Sequence, residues 1–166
     1  MAREQDKYAN VAAIRVTQSA ANVETYGQIL TGISLGEGRG MLIDSVSFKP
    51  TPATLALLAA ANDWLTMAIT TRNDLTDLND ITQAAILTAL NISVLDLGVA
   101  ASGIHSHVPL VQQFFPPMIV AAPRIFAAVD SSALASAGLA DFRIHFRYVK
   151  LSPQEYIELA EAFVLS

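Results

Sequence analysis

Polar and apolar residues alternate along much of this chain with the two-residue period of strands. The clearest run is Phe142-Arg143-Ile144-His145-Phe146-Arg147-Tyr148. Successive side chains of an extended chain point to opposite faces, so Phe142, Ile144, Phe146 and Tyr148 share one face and Arg143, His145 and Arg147 the other. Aromatic and β-branched residues suit such a half-buried antiparallel strand. Trp64 to Thr71 repeats the pattern, with Leu65, Met67 and Ile69 alternating with Thr66, Ala68 and Thr70. Leu42 to Phe48 predicts a third strand, stopped by Lys49-Pro50. Ala12 to Thr17, Gln28 to Leu35, Ile92 to Leu97, Met118 to Ala122 and Arg124 to Val129 predict others. Pro123 lacks a ladder donor and marks an edge, a bulge or a break between the last two.

The period changes at the C-terminal end. Ser152-Pro153-Gln154-Glu155 fits a capping box, with Pro153 at the first helical position where its missing N–H costs nothing. Tyr156, Leu159, Ala160 and Phe163 then form a stripe at helical spacing, which predicts a helix over 152–164. Thr54 to Ala61 and Thr82 to Leu90 are short apolar runs that periodicity does not assign to helix or strand. Asn73-Asp74 with Asp77, Asn79 and Asp80 marks a turn-rich loop, and Ser131 to Gly138 a small-residue loop. Seven to nine strands with little helix predict an all-β fold: an antiparallel β-sandwich or single jelly roll with a short C-terminal helix. Residues 1–166 are expected to form one such domain, with 1–9 a flexible N-terminal segment. The competing architecture is an α+β domain in which both unassigned runs are helices.

Composition adds a clue to assembly. Apolar residues make up 52% of the 166, and charged residues only 15%. An ordinary soluble domain has about a quarter of its residues charged. Ala, Leu, Ile and Val therefore occupy positions that are normally solvated, which implies that much of the folded surface meets other protein. The longest apolar stretch, Leu55 to Ala61, is far short of the roughly 20 residues of a spanning helix, so no membrane segment is expected. The first residues lack the order of a signal peptide, consistent with synthesis in the cytosol. Ten Lys and Arg against fifteen Asp and Glu, a net charge of −5, make a poor footprint for nucleic acid, so no direct nucleic-acid binding is expected. Without cysteine there are neither disulfides nor thiolate metal sites.

Candidate chemistry is sparse. His105-Ser106-His107 has the His-x-His spacing that cupin barrels use for metal, and His145 could supply a third nitrogen. The residues that follow, Val108 to Gln112, hold no carboxylate ligand, and the second cupin motif is missing. Gly36-Glu37-Gly38-Arg39-Gly40 lacks the spacing of a phosphate-binding loop. Asp74, Asp77 and Asp80 lack the glycine pivot and terminal glutamate of an EF-hand. No serine falls in a nucleophile elbow. The expectation is therefore no catalytic residue, no metal and no cofactor. Arg143, His145 and Arg147 form a basic row that suits an anion or carbohydrate site, or pairing with acids of a neighbouring strand or subunit. Together with Tyr156, Leu159 and Phe163 of the C-terminal helix, they are the candidate subunit interface.

The order of features resembles a family. A strand Trp64-Leu65-Thr66-Met67-Ala68-Ile69-Thr70-Thr71 precedes an Asp/Asn-rich loop and a break at Pro116-Pro117. Arg124-Ile125-Phe126-Ala127-Ala128-Val129-Asp130 leads into a small-residue loop, and Phe142 to Tyr148 ends the sheet region. Across Gly40 to Lys150 this pattern is similar to the single jelly-roll virion proteins of tailless icosahedral viruses of bacteria and archaea. The resemblance implies a capsid or virion subunit that associates with copies of itself, and with other virion proteins, and that has no active site. It would be assembled in the host cytoplasm and reside in the virion. Lacking a basic arm, the shell would enclose its genome through a membrane or another internal layer. A carbohydrate- or ligand-binding β-sandwich module is the alternative, and a cupin-like metal-dependent enzyme a further one.

Overall fold

A computed structural model of the chain describes residues 6–34, 38–60, 62–80, 82–96, 102–106 and 110–164. Nine strands appear among them: β1 (Asn10–Thr17), β2 (Thr25–Leu30), β3 (Arg39–Pro50), β4 (Trp64–Thr70), β5 (Ile86–Asp96), β6 (Ser102–Ser106), β7 (Val111–Val120), β8 (Arg124–Ser132) and β9 (Leu139–Lys150). Helix α1 (Pro52–Leu57) follows β3, and α2 (Pro153–Val164) follows β9. Every strand pairing is antiparallel. Sheet A has the order β1-β9-β3-β7 and sheet B the order β2-β8-β4-β5-β6.

That order is a jelly roll. With β6 set aside, the first strand pairs with the last (β1 with β9), the second with the next to last (β2 with β8), then β3 with β7 and β4 with β5. A long hairpin rolled across two sheets produces this nesting. The fold is thus the all-β sandwich with a short C-terminal helix that the alternation predicts, and β6 is an added edge strand beside β5.

The core lies between the sheets. Phe142, Ile144 and Phe146 of β9 and Met41, Ile43, Val46 and Phe48 of β3 face Leu65, Met67 and Ile69 of β4, Leu90 and Ile92 of β5, and Ile125, Ala127 and Val129 of β8. Phe48 and Phe142 meet edge to face at 5.9 Å. Alternation of β9 is unbroken, but β3 carries an extra residue. Ile43 opposes Phe146 and Ser45 opposes His145, leaving Asp44 as a bulge. Two consecutive side chains, Asp44 and Ser45, therefore face outward, and the inward parity resumes at Val46.

Both faces of β4 are buried, because residues 71–85 fold back over the outer face of sheet B. Leu78 sits against Ala68 and Ala128, with Leu75, Tyr26 and Ala89 around it. The buried Thr66 hydroxyl donates to Asn79 Oδ1 at 2.5 Å and accepts from Asn91 Nδ2 at 2.8 Å. Asp77 and Asp80 close Asx turns onto the amides of Asn79 and Thr82. The turn-rich segment read from the sequence is therefore a third layer with its own small apolar cluster.

Several boundaries differ from the expectation. The second strand covers Thr25–Leu30 rather than Gln28 to Leu35, since Thr31 turns its hydroxyl onto the Ala122 carbonyl at 2.6 Å and Gly32 adopts φ 72°. Of the run Thr54 to Ala61, residues 54–57 belong to the helix α1, capped by Thr51, whose Oγ1 accepts from the Thr54 amide; Ala61 lies outside the described residues. The later part of the unassigned run Thr82 to Leu90, from Ile86, joins the strand expected from Ile92 in one strand, β5, through Asn91; of that expected strand Leu97 lies outside the described residues. Pro116-Pro117 is a bulge rather than a break: residues 114–117 are accommodated between the Ile43–Met118 and Ser45–Gln113 pairs. The capping box is formed, Ser152 N donating to Glu155 Oε2 at 2.9 Å and Glu155 N to Ser152 Oγ at 3.3 Å. Of the N-terminal segment 1–9, residues 1–5 lie outside the described residues, and the Asp6 amide donates to the Tyr148 carbonyl.

Thr66→Val keeps the shape of the side chain but removes the hydroxyl's bonds to Asn79 and Asn91, leaving the bond between the two asparagines. It is expected to lower stability by about 1–2 kcal/mol in denaturant titrations. Protease cleavage within 71–85 should rise in parallel; unchanged cleavage would mean that this triad does not hold the third layer down.

Candidate functional site

Cross-strand register assembles the outer face of sheet A from residues far apart in sequence. One row reads Arg15, Asp141, Lys49; the next Ala13, Arg143, Ser47; the next Val11, His145, Ser45. Because small residues flank Arg143, the middle row forms the floor of a shallow depression of about 500 Å³ that Arg15, Lys49, Asp141 and His145 also line. Arg15 is held by Asp141 through two parallel hydrogen bonds of 2.6 and 3.0 Å. Its guanidinium lowers the Asp141 pKa below the usual carboxylate value, with Lys49 adding to the effect. Arg147 forks onto the bulged Asp44 at 2.7 and 3.1 Å. Arg143 has no ion-pair partner among the described residues.

The predicted basic row thus divides. Arg147 is paired to a neighbouring strand, while Arg143 and the half-buried His145 face outward over the depression. The pairing of Arg147 with Asp44 is the expected pairing with an acid of a neighbouring strand; the signal for that acid is the consecutive polar pair Asp44-Ser45, which breaks the alternation of β3 at the bulge.

The histidines do not converge. His145 is on the outward face of β9 in sheet A, whereas His105 is in β6, at the far edge of sheet B, paired in register with Ser93. His107 lies outside the described residues. Among the described residues no group of three His, Asp or Glu side chains is placed to hold a metal ion.

The helix candidates also divide. Tyr156 is buried in the chain's own core and Leu159 is partly buried against it, so neither offers its full area to a neighbour. The Tyr156 hydroxyl has no hydrogen-bond partner among the described residues. The Phe163 side chain lies outside the described residues. Among the described side chains of α2, the large exposed apolar one is Ile157.

Large apolar side chains are nonetheless exposed, and they concentrate at the two edges of sheet A. Tyr8 and Val11 lie at the β1 edge; Leu110, Val111 and the fully exposed Phe115 lie at the β7 edge. Leu30, on the edge strand β2 of sheet B, is 75% exposed.

The opposite side of the sandwich is acidic. Glu24, Asp74, Asp77, Asp80 and Asp130 gather on the outer side of sheet B and the segment covering it, against Arg72 and Arg124. Arg72 is committed to Asp74 at 2.9 Å. Burial raises the pKa of Asp130 and of Glu24, and the nearby Asp77 charge raises both further. Tyr26 donates a short hydrogen bond to Glu24, which works against that rise.

No family model matches this chain, and no curated protein matches it. Among solved structures, a chain from the single-particle structure of Maize Chlorotic Mottle Virus is 13% identical, with a TM-score of 0.38. The match covers 86% of this chain and 92% of that one. A likeness of that size does not establish a shared fold, so the jelly-roll architecture rests on the strand order. No helix among the described residues is long and apolar enough to cross a membrane.

A carboxyl whose pKa is raised on folding favours the native state while protonated, and this stabilisation is lost as pH rises through its folded value. Asp130→Asn retains the oxygen that accepts from Ser131 N and removes the charge. The variant is expected to melt about 1–3 °C above the wild type at pH 7 and to lose that advantage near pH 3.5, measured by thermal denaturation. An equal difference at both pH values would show that the charge is not the cause.

Proposed function

We propose that this chain is a structural subunit that assembles with copies of itself, as a capsid or other component of a virus particle. The observation that carries the reading is the placement of its surplus apolar surface. Tyr8, Val11, Leu110, Val111 and Phe115 lie at the two edges of one sheet, while Val23, Leu30 and Ile157 are exposed elsewhere. Edge strands with open hydrogen-bonding groups and apolar side chains invite pairing with another chain unless charge or a covering element blunts them. The bulge at 114–117 limits regular pairing at the β7 edge, so side-chain packing would dominate the contact there. Single jelly rolls serve as capsid and lectin domains and as cupins, so the architecture is compatible with the role without selecting it. The resemblance of Gly40 to Lys150 to virion proteins supports the viral setting. In this reading the whole chain is one building unit, located in the virion, and it performs no reaction and holds no cofactor.

A ligand- or carbohydrate-binding module is the second reading, favoured by the depression around Arg143. Glycan binding abolished by Arg143→Ala would promote it.

Light scattering after size-exclusion chromatography tests the structural reading. The wild type at tens of micromolar is expected to run as a large assembly. Val111→Lys combined with Phe115→Glu should weaken association at least tenfold, equivalent to about 1.4 kcal/mol, with little change in melting temperature. A wild type that remains monomeric would sink the proposal.

A further inference from the structure

The charges of this chain are sorted by face. On the outer face of sheet A, Arg15, Lys49, Arg143 and Arg147 stand against Asp44 and Asp141. Four of the ten cations of the chain are therefore on one sheet face, although the chain as a whole carries a net charge of −5. Two of the four, Arg15 and Arg147, are forked onto the two carboxylates. That leaves Lys49 and Arg143, both exposed, as the surplus positive charge bordering the depression. Helix α2 packs beside β7, and the β1–β9–β3 part of the face is open.

On the far side of the sandwich the imbalance has the opposite sign. Glu24, Asp77 and Asp130 crowd one another, and among the described residues the cations on that side are Arg72, already paired with Asp74, and Arg124 at the start of β8. Like charges brought together by folding have a cost in the isolated chain, and a cationic surface laid over them relieves it. The segment 71–85 that bears part of this charge lies over the sheet as a third layer. The two surfaces are complementary in sign.

We infer that the basic outer face of sheet A docks onto the acidic 71–85 side of a second copy of this chain. The inference rests on the self-assembly reading and specifies which surfaces meet. The contact joins two different patches, so it is head-to-tail: each copy uses both, and the chain of contacts closes into a ring or shell if the rotation between copies allows. Lys49 and Arg143 are the residues expected to face Asp77 and Glu24, with Arg15 and Arg147 held in place by their own carboxylates. Electrostatic pairing of this kind sets register and partner choice, while the apolar edges supply buried area.

The test uses two full-length variants and the wild type. Lys49→Glu with Arg143→Glu makes the sheet A face acidic. Asn73→Lys with Asp74→Lys and Thr76→Lys, at three exposed positions, turns the 71–85 segment from a net negative to a net positive charge and spares the Asx turns of Asp77 and Asp80. Each variant alone is expected to associate at least tenfold more weakly than the wild type in light scattering, with an unchanged melting temperature. An equimolar mixture should regain wild-type association, because each variant then offers the other an opposite charge. Wild-type assemblies should also loosen as salt rises from about 0.1 to 1 M, where screening shortens from about 10 to 3 Å. Assembly that is indifferent to salt and to both variants would overturn the inference and leave the self-assembly reading standing. A wild type that is monomeric at every salt concentration would instead remove that reading, and the inference with it. If assembly is unchanged but a short single-stranded oligonucleotide binds the wild type and not Lys49→Glu/Arg143→Glu, the face belongs to a polyanion and the inference is overturned.

Discussion

The packing of β9 and β3 against β4, β5 and β8 is the constraint on which the other surfaces depend. Phe142, Ile144 and Phe146 are drawn inward with Phe48, Val46 and Met41, onto Leu65, Met67, Leu90 and Ile125. A strand has only two sides. Once those residues are committed to the seam, Arg143, His145 and Arg147 have no choice but to face out. The same logic on sheet B turns Thr66, Ala68 and Ala128 away from the seam. They would be poorly solvated there, and residues 71–85 cover them. The basic face, the acidic third layer and the apolar edges are all consequences of how this seam is filled.

One inserted residue adjusts the result. Asp44 bulges from β3 opposite an unbroken β9, which restores inward parity for Val46 and Phe48 and places a carboxylate beside Arg147. Without that bulge, one half of β3 would turn its apolar set to solvent. The opposite neighbour, β7, absorbs a longer irregularity at residues 114–117, and Phe115 emerges there fully exposed. The free edge of sheet A is thus irregular as well as apolar, which favours side-chain contacts with another chain over continuation of the sheet.

The elements most readily seen in the sequence were those with clean alternation. β4 has close to its expected extent, β9 contains the expected Phe142 to Tyr148 and runs beyond it at both ends, and the capping box at Ser152 and Glu155 forms as its spacing requires. The elements missed or blurred have a local pattern that conflicts with their environment. β5 is a single strand although the polar Asn91 interrupts it, because Thr66 and Asn79 receive the Asn91 amide. α1 and the start of β5 come from short apolar runs that suit either geometry. β6 has no alternation to find, and its assignment follows from pairing with β5. Of the candidate interface, the outward direction of Arg143 and His145 was legible. The withdrawal of Tyr156 into the core was not, because a helical stripe does not say which body it packs against.

The amino-acid sequence by itself determined the all-β class, the strand faces, the helix start and the shortage of charge, since these depend on neighbours within a few residues. Tertiary structure alone decided that four cations share one sheet face, that Asp44 meets Arg147, and that most of the large exposed apolar residues fall at the edges of sheet A. Those outcomes depend on register between strands separated by more than 100 residues, 103 for Asp44 and Arg147 and 126 for Arg15 and Asp141. Local periodicity carries no information about such pairings, which the closing of two sheets over a common core selects.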